Sequence, residues 1–319
     1  MVESRIVIPV VVGSSPIGHP IISQRIPPVQ KWMPPALDAG TAAGAAFVAN
    51  ISAAVVQIRA NARGALLGHD PEHLHQLRVG IRRMRATLRA FRRLVRRRIA
   101  QRFERELRTL LRALAAARDW DVFLQSQSDP VLRRVARRRR AAAHRSAQRV
   151  LSQDRFGSVL RRALAWARSE PWRASADSRE PLGAFGARSL RRLYRAMGRR
   201  AADMDWSDPA QRHRARIRLK WLRYGYDCFA AGFAPRALKA FLHRLRSLQH
   251  ILGELNDIRV QRGLLRGLAS EAGLGRTVAS ARARLTARER SLTLEAETVW
   301  SKIAAHPPRW RRQAARAPI

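Results

Sequence analysis

Acidic residues are scarce: 23 Asp and Glu stand against 63 Lys and Arg, a formal charge of +40. Such an excess repels itself in a compact chain, so a polyanionic partner or surface is implied. Lysine is rare too, confined to Lys31, Lys220, Lys239 and Lys302. The cationic groups are therefore guanidinium forks, which suit phosphate oxygens and stay charged when partly desolvated. Cysteine occurs once, at Cys228, which excludes an internal disulfide and a cysteine-built metal cage. A lone cysteine fits a reducing compartment, and a cytoplasmic location is expected. Aromatics are 6% of the chain and do not interleave the basic stretches as base-stacking platforms would. There is no Gly-rich phosphate loop, Ser/His/Asp set or carboxylate pair. No catalytic residue and no cofactor are assigned, and the chain is read as a non-enzyme. The N-terminus lacks a basic leader, and RIVIPVVV at 5–12 is broken by Pro9, so no secretory signal is expected. Residues 39–58 carry no charge but are mostly Ala and Gly, with Asn50 and Gln57 among them. That is weakly apolar for the ~20 residues a membrane span needs, so a helix of the folded domain is expected and no span.

Proline concentrates at the start, with Pro9, Pro16, Pro20, Pro27, Pro28, Pro34 and Pro35. Residues 1–39 therefore read as an extended or disordered leader. From 40 to 305 the apolar periodicity is helical and strand-like alternation is scarce, so the expected fold is all-α. Breaks are expected near Gly68, Asp129-Pro130, Gly157, Asp208-Pro209, Pro235 and Gly273 to Gly275. They imply eight to ten helices in two bundles, a first half at about 40–170 and a second at about 180–305. The stretch SEPWRASADSREP (169–181) links them, and 306–319 reads as a basic irregular tail.

One stretch, HDPEHLHQLR at 69–78, has the look of a metal or acid/base site. Asp70 suits a helix N-cap, Pro71 the first helical position and Glu72 the first turn, so capping explains all three. Downstream, Leu74, Leu77, Ile81, Met84, Leu88 and Phe91 form an apolar stripe. Beside it runs a second stripe: His75, Arg78, Arg82, Arg85, Arg89, Arg92 and Arg96, with no acid between Glu72 and Glu104. Like charges at i,i+4 cost roughly 0.2–0.5 kcal/mol each, which a solvated face usually relieves with interspersed acids. An anion-binding row is preferred to a solvated face on that ground.

The row recurs at an offset of 138 residues. Asp70-Pro71 returns as Asp208-Pro209, His75 as His213, Arg78 as Arg216, Arg82 as Lys220 and Arg85 as Arg223. The apolar seam returns as Ala215, Leu219, Leu222, Tyr226 and Phe229, and Asp119 as Asp257. Duplication of a helical unit, giving a pseudo-twofold pair of bundles, is the natural reading. His69 aligns with Ser207 and His73 with Gln211, so only His75 belongs to the repeated pattern. His73 and His75 are two apart on a helix, unlike an i,i+4 ligand pair, and no metal site is expected. Asp119, Asp121, Glu254 and Asp257 lie in ARDWD and GELND; Asp119 and Asp257 are expected to pair with arginines and orient them.

HQLRVGIRRMRATLRAF (75–91), its echo HRARIRLKWLRYGYDCF (213–229), AARDWDV (116–122) and LGELNDI (252–258) together resemble the CHAD family, the conserved histidine α-helical domain. The resemblance covers about 40–305. It implies two pseudo-twofold-related helical bundles that bind inorganic polyphosphate along a basic groove and are recruited to polyphosphate granules. Carried over residue by residue, the motif places His75, Arg78, Arg82, Arg83 and Arg85 in the first half, with Arg89 next along the row. In the second half it places His213, Arg216, Lys220 and Arg223. The position matching Arg83 is Trp221 and that matching Leu77 is Ala215, departures that would make the second row less dense. Both histidines are expected to donate to phosphate, with binding improving below about pH 6.5. The alternatives are a non-specific nucleic-acid-binding protein and a metal-dependent polyphosphate phosphohydrolase.

Overall fold

The computed structural model describes residues 27–201, 204–234, 236, 238–269, 271 and 273–310. Among these it contains eleven α-helices: α1 (Ala43–Leu67), α2 (Pro71–Ala90), α3 (Arg97–Ala113), α4 (Ala115–Ser126), α5 (Pro130–Leu151), α6 (Asp154–Arg168), α7 (Ala176–Arg179), α8 (Leu182–Ala201), α9 (Pro209–Phe229), α10 (Lys239–Leu268) and α11 (Gly275–Ala305). One 3-10 turn, Ala230–Gly232, follows α9. The fold is all-α. The closest helix pairings are α1 with α2, α10 with α11, α8 with α9 and α4 with α5, and α2 packs across onto α9.

Local rules explain most boundaries. The Asp70 carboxylate accepts from the Glu72 backbone N–H at 2.7 Å, and Asp208 accepts from Ala210 at 2.7 Å. Each caps its helix ahead of a proline whose missing N–H costs nothing there. Gly68 ends α1 at φ 74°, a left-handed conformation that favours glycine. Gly157 breaks nothing: it lies in the first turn of α6, where burial of Phe156, Val159, Leu160 and Ala163 outweighs a glycine penalty of about 1 kcal/mol. Pro235 lies outside the described residues. An interruption the sequence did not announce separates α3 from α4 at Leu114, whereas α10 runs unbroken past the matched Leu252.

The main core runs through both halves. Within it Phe91, at the C-cap of α2, meets Phe229 of α9 at 4.7 Å between ring centroids, flanked by Phe47 of α1 and Phe185 of α8. These four rings are two pairs 138 residues apart. Gly80 lets α1 approach α2, since a Cβ there would stand 2.6 Å from Ile58. Helix α1, which carries no charge before Arg59, is long and apolar enough to span a membrane by length and composition, yet it is a core helix here. Its buried amides donate inside the fold, Gln57 to Gln76 at 2.9 Å and Asn50 to the Ala46 carbonyl at 2.8 Å and the Cys228 carbonyl at 3.3 Å, although the Asn50 Oδ1 and Gln57 Oε1 are left without a partner.

The segments expected to be loose are partly docked. Residues 1–26 lie outside the described region, but Gln30 and Asn61 exchange hydrogen bonds at 3.2 and 2.8 Å, and Trp32 packs over Arg83. In the 169–181 link, Trp172 is buried against Phe47 and Trp166. In the tail, Trp310 is buried against Phe233 and Phe241.

Candidate functional site

Where α2 crosses α9, the two cationic rows come together. Arg82 of α2 lies in the field of both Arg216 and Lys220 of α9, and Arg78 is close enough to Lys220 to disfavour its charge. His75, Arg78, Arg82, Arg85, His213, Arg216, Lys220 and Arg223 are all half-buried, and Arg89 is exposed. Their stems are packed: the Nε atoms of Arg78, Arg82, Arg85, Arg216 and Arg223 and the Nδ1 of His213 are buried with no acceptor in the protein. Leaving donors desolvated and unpaired is costly, so this crossing is held against its own electrostatics by the packing around it.

The cost appears in the acid–base equilibria. Burial, then Arg216, Arg82 and Arg78, push the Lys220 ammonium down to about 6. Burial, followed by Arg118, pushes His75 down to about 4, and His213 is lowered by burial and Arg259. Even Arg78 is brought down to about 10 by burial and the charge of Arg82. Near pH 7 both histidines and most of Lys220 are therefore neutral. In the free protein, burial first and then Arg118 hold His75 well below its ordinary 6.5.

Anchoring differs along the rows. Arg78 donates to the Leu111 carbonyl at 2.6 Å. Glu104 on α3 accepts from Arg85 at 3.2 Å and Arg89 at 3.1 Å, and pairs with Arg108 at 3.5 Å. The same two arginines lie over the Trp221 ring, at 5.1 and 4.7 Å from its centroid. Arg223 sits 5.1 Å over Tyr224. On the α9 side a cavity of about 370 Å³ is lined by Arg216, Lys220, Arg223, Arg246, Glu254 and Asp257, among others.

Several site expectations change. Arg83 is already answered within the α2–α9 contact: its guanidinium pairs with Asp227 of α9 at 2.8 Å and lies over the rings of Trp32 at 4.3 Å and Tyr224 at 5.1 Å, buried as a structural cation. Arg92 and Arg96 do not extend a helical row, because α2 ends at Ala90 with the Arg192 guanidinium donating to the carbonyls of Arg89 and Ala90. Asp119 and Asp257 face each other amid Arg78, Arg118 and Arg259, and burial raises the Asp119 carboxyl. Neither makes a direct ion pair with an arginine among the described residues; the direct brace is Glu104. His73 is a core residue, its Nδ1 3.2 Å from the Asn61 Oδ1, while His69 is exposed, so the three histidines of 69–78 do not converge. Arg118 and Arg259 were missed. Each is beside a motif carboxylate, but their counterparts at the 138-residue offset are Asn256 and Asp121, so the repeat conceals them.

The CHAD domain family matches residues 49–266. A crystal structure of the CHAD domain from the plant Ricinus communis is similar at 28% identity and a TM-score of 0.77, covering 88% of this chain and 97% of that one. PptA from Streptomyces chartreusis has a similar fold, with 17% identity and a TM-score of 0.65, over 83% of this chain and all of the other. No curated protein matches the chain.

Proposed function

The chain belongs to the CHAD domain family, and from that premise we propose that it binds inorganic polyphosphate, without catalysis, along the cationic crossing of α2 and α9. The observation that carries this reading is the crowding of Arg78, Arg82, Arg216 and Lys220, four half-buried cations none of which has a direct carboxylate partner among the described residues. A chain of linked phosphates supplies the missing counter-charge, and guanidinium forks hold its oxygens in charge-assisted, sometimes bidentate bonds. Arg78, Arg82, Arg85, Arg89, Arg216, Lys220 and Arg223 are the proposed contacts, with His75, His213, Arg118 and Arg259 at the flank. Arg83 is left out, since Asp227 already answers its charge. Asp119 and Asp257 act through the field they set among the cations.

The protein in this reading is cytoplasmic and is targeted by its ligand to polyphosphate granules. Non-specific nucleic-acid binding is the rival, as any +40 surface attracts a polyanion. Equilibrium competition at equal phosphate concentration separates the two. Long-chain polyphosphate should remain bound when RNA or duplex DNA is added, and its displacement by RNA would sink the proposal. Release of inorganic phosphate on adding Mg²⁺ would instead favour a phosphohydrolase; none is expected.

A further inference from the structure

A second acid-free arginine row lies outside the crossing. Helix α5 holds no Asp or Glu, and none occurs between Asp129 and Asp154. Its inner face carries Leu132, Ala136, His144, Ala147 and Leu151 into the protein. Opposite that face, at helical spacing, are Arg134, Arg138, Arg145 and Arg149, all exposed. They span ~22 Å of helix at 1.5 Å per residue. None of the four has a carboxylate partner among the described residues, while their neighbours are answered: Arg139 pairs with Glu271 at 2.7 Å and Arg140 with Asp121 at 2.6 Å.

An ordinary solvated basic face looks different, and this molecule contains one. Helix α11 is arginine-rich on its exposed face, but it interleaves the exposed Glu295 and Glu297, and Arg288 pairs across to Glu254 at 2.7 Å. The α5 row carries the unrelieved i,i+4 repulsion also seen on α2. It also points elsewhere. Asp121 fixes the inner face of α5 to α4 through Arg140 and through His144 at 2.9 Å. Asp119, two residues away and so on the opposite side of α4, faces the crossing.

We propose that the outer face of α5 is a second polyphosphate contact, so that one molecule bridges two strands. This rests on the reading of the crossing as a polyphosphate site, and it adds cross-linking to binding. The phosphate chain is the occupant favoured because the row is purely guanidinium, with no exposed aromatic ring on α5 to stack a base.

The test uses the full chain, beads carrying covalently attached long-chain polyphosphate, and a free fluorescent polyphosphate strand. Retention of protein on the beads reads the crossing, and retention of fluorescence through the protein reads bridging. The variant R134Q/R138Q/R145Q/R149Q should remain on the beads, with unchanged helicity by circular dichroism. It should lose fluorescent-strand capture by about tenfold or more, as expected when a second contact of a bivalent binder is removed. The matching Arg→Lys variant should keep most of the capture. Capture by the Gln variant equal to wild type would overturn the proposal, as would preferential capture of fluorescent RNA over polyphosphate at equal phosphate. Wild-type protein that fails to stay on the beads would overturn the reading of the crossing itself, an outcome distinct from retention without bridging.

Discussion

The α2 and α9 rows carry the same pattern but are held in different ways. On α2, Arg78 is tied to a carbonyl, and Arg85 and Arg89 are clamped between Glu104 and the ring of Trp221. On α9, Arg216, Lys220 and Arg223 have no direct carboxylate partner among the described residues. Asp257 favours the charges of Arg216 and Lys220 from a distance, and burial and repulsion leave the lysine largely uncharged. In the proposed reading one row is preorganised before ligand arrives, and the other acquires part of its charge with it. Matched residues can thus take different jobs. Arg83 on α2 and Trp221 on α9 share a register, yet one braces the fold and the other braces the opposite row.

The largest predicted effect breaks that first contrast. Replacing Arg83 with alanine leaves Asp227 unpaired and removes a cation from between Trp32 and Tyr224. Breaking a buried pair costs about 3–5 kcal/mol, and Asp227 keeps a quarter of its side chain in solvent, so about 3 kcal/mol is expected. Denaturant unfolding measures this. Polyphosphate affinity per folded molecule should be unchanged; a loss of affinity with stability intact would return Arg83 to the binding row.

Arg82 should behave in the opposite way. It stands against Arg216 and Lys220 at the crossing, so Arg82→Gln relieves repulsion in the free protein and should raise its melting temperature. The same change should cost about 10–100-fold in polyphosphate affinity, the value of a charge-assisted bond or two. Arg89→Gln, at the exposed end, should cost several-fold less. Calorimetric titration of the two variants decides it: an Arg89 effect equal to that of Arg82 would move the centre of the site off the crossing.

These two neighbours show how much was legible beforehand. The Asp-Pro caps, the apolar stripes and the cationic rows are local periodic features, so the sequence reveals the helices and the site helices. The 138-residue offset separates His75 from His69 and His73 because a functional pattern repeats while incidental residues do not. What periodicity cannot supply is rotation against a partner. Arg82 and Arg83 are adjacent and chemically identical, and only the position of Asp227 on α9 decides which one is structural. Nor could a repeat reveal Arg118 and Arg259, which enter the site from unmatched positions. The early end of α2 depends on Arg192, a residue more than a hundred positions away in the chain.

The adjustable row should be readable through pH. In the free protein Lys220 has a value of about 6, far below its ordinary 10.5, because of burial and the arginines beside it. Phosphate favours the ammonium, so binding takes up a proton. This group's share of affinity is fully present below about pH 6 and is lost as pH rises through its higher value in the complex. Lys220→Arg supplies a charge that does not titrate in this range. The variant should match wild type near pH 5.5, bind up to about tenfold more tightly at pH 7, and show a flatter profile to pH 9. His75 adds a slope of the same sign at lower pH, from its free-protein value of about 4 upward. Superimposable profiles for wild type and Lys220→Arg would mean that the lysine does not gain its charge on binding.

Trp221 gives the smallest effect and the sharpest separation of positioning from charge. Its ring holds Arg85 and Arg89 at 5.1 and 4.7 Å without contributing a charge. Each exposed cation–π contact is worth about 0.5–1 kcal/mol, but Glu104 still holds both guanidinium groups when the ring is gone. Trp221→Ala should therefore weaken polyphosphate binding by only about 2–5-fold. The logarithmic dependence of affinity on salt should keep its slope, because the number of phosphates neutralised is unchanged. Arg85→Gln, by contrast, should reduce that slope by about one contact. Trp221→Phe should restore most of the loss, since a smaller ring still presents a face to the two arginines. If Trp221→Ala changed the slope as Arg85→Gln does, the α2 row would owe its charge presentation to α9, and the distinction between a preorganised and an adjustable row would fail.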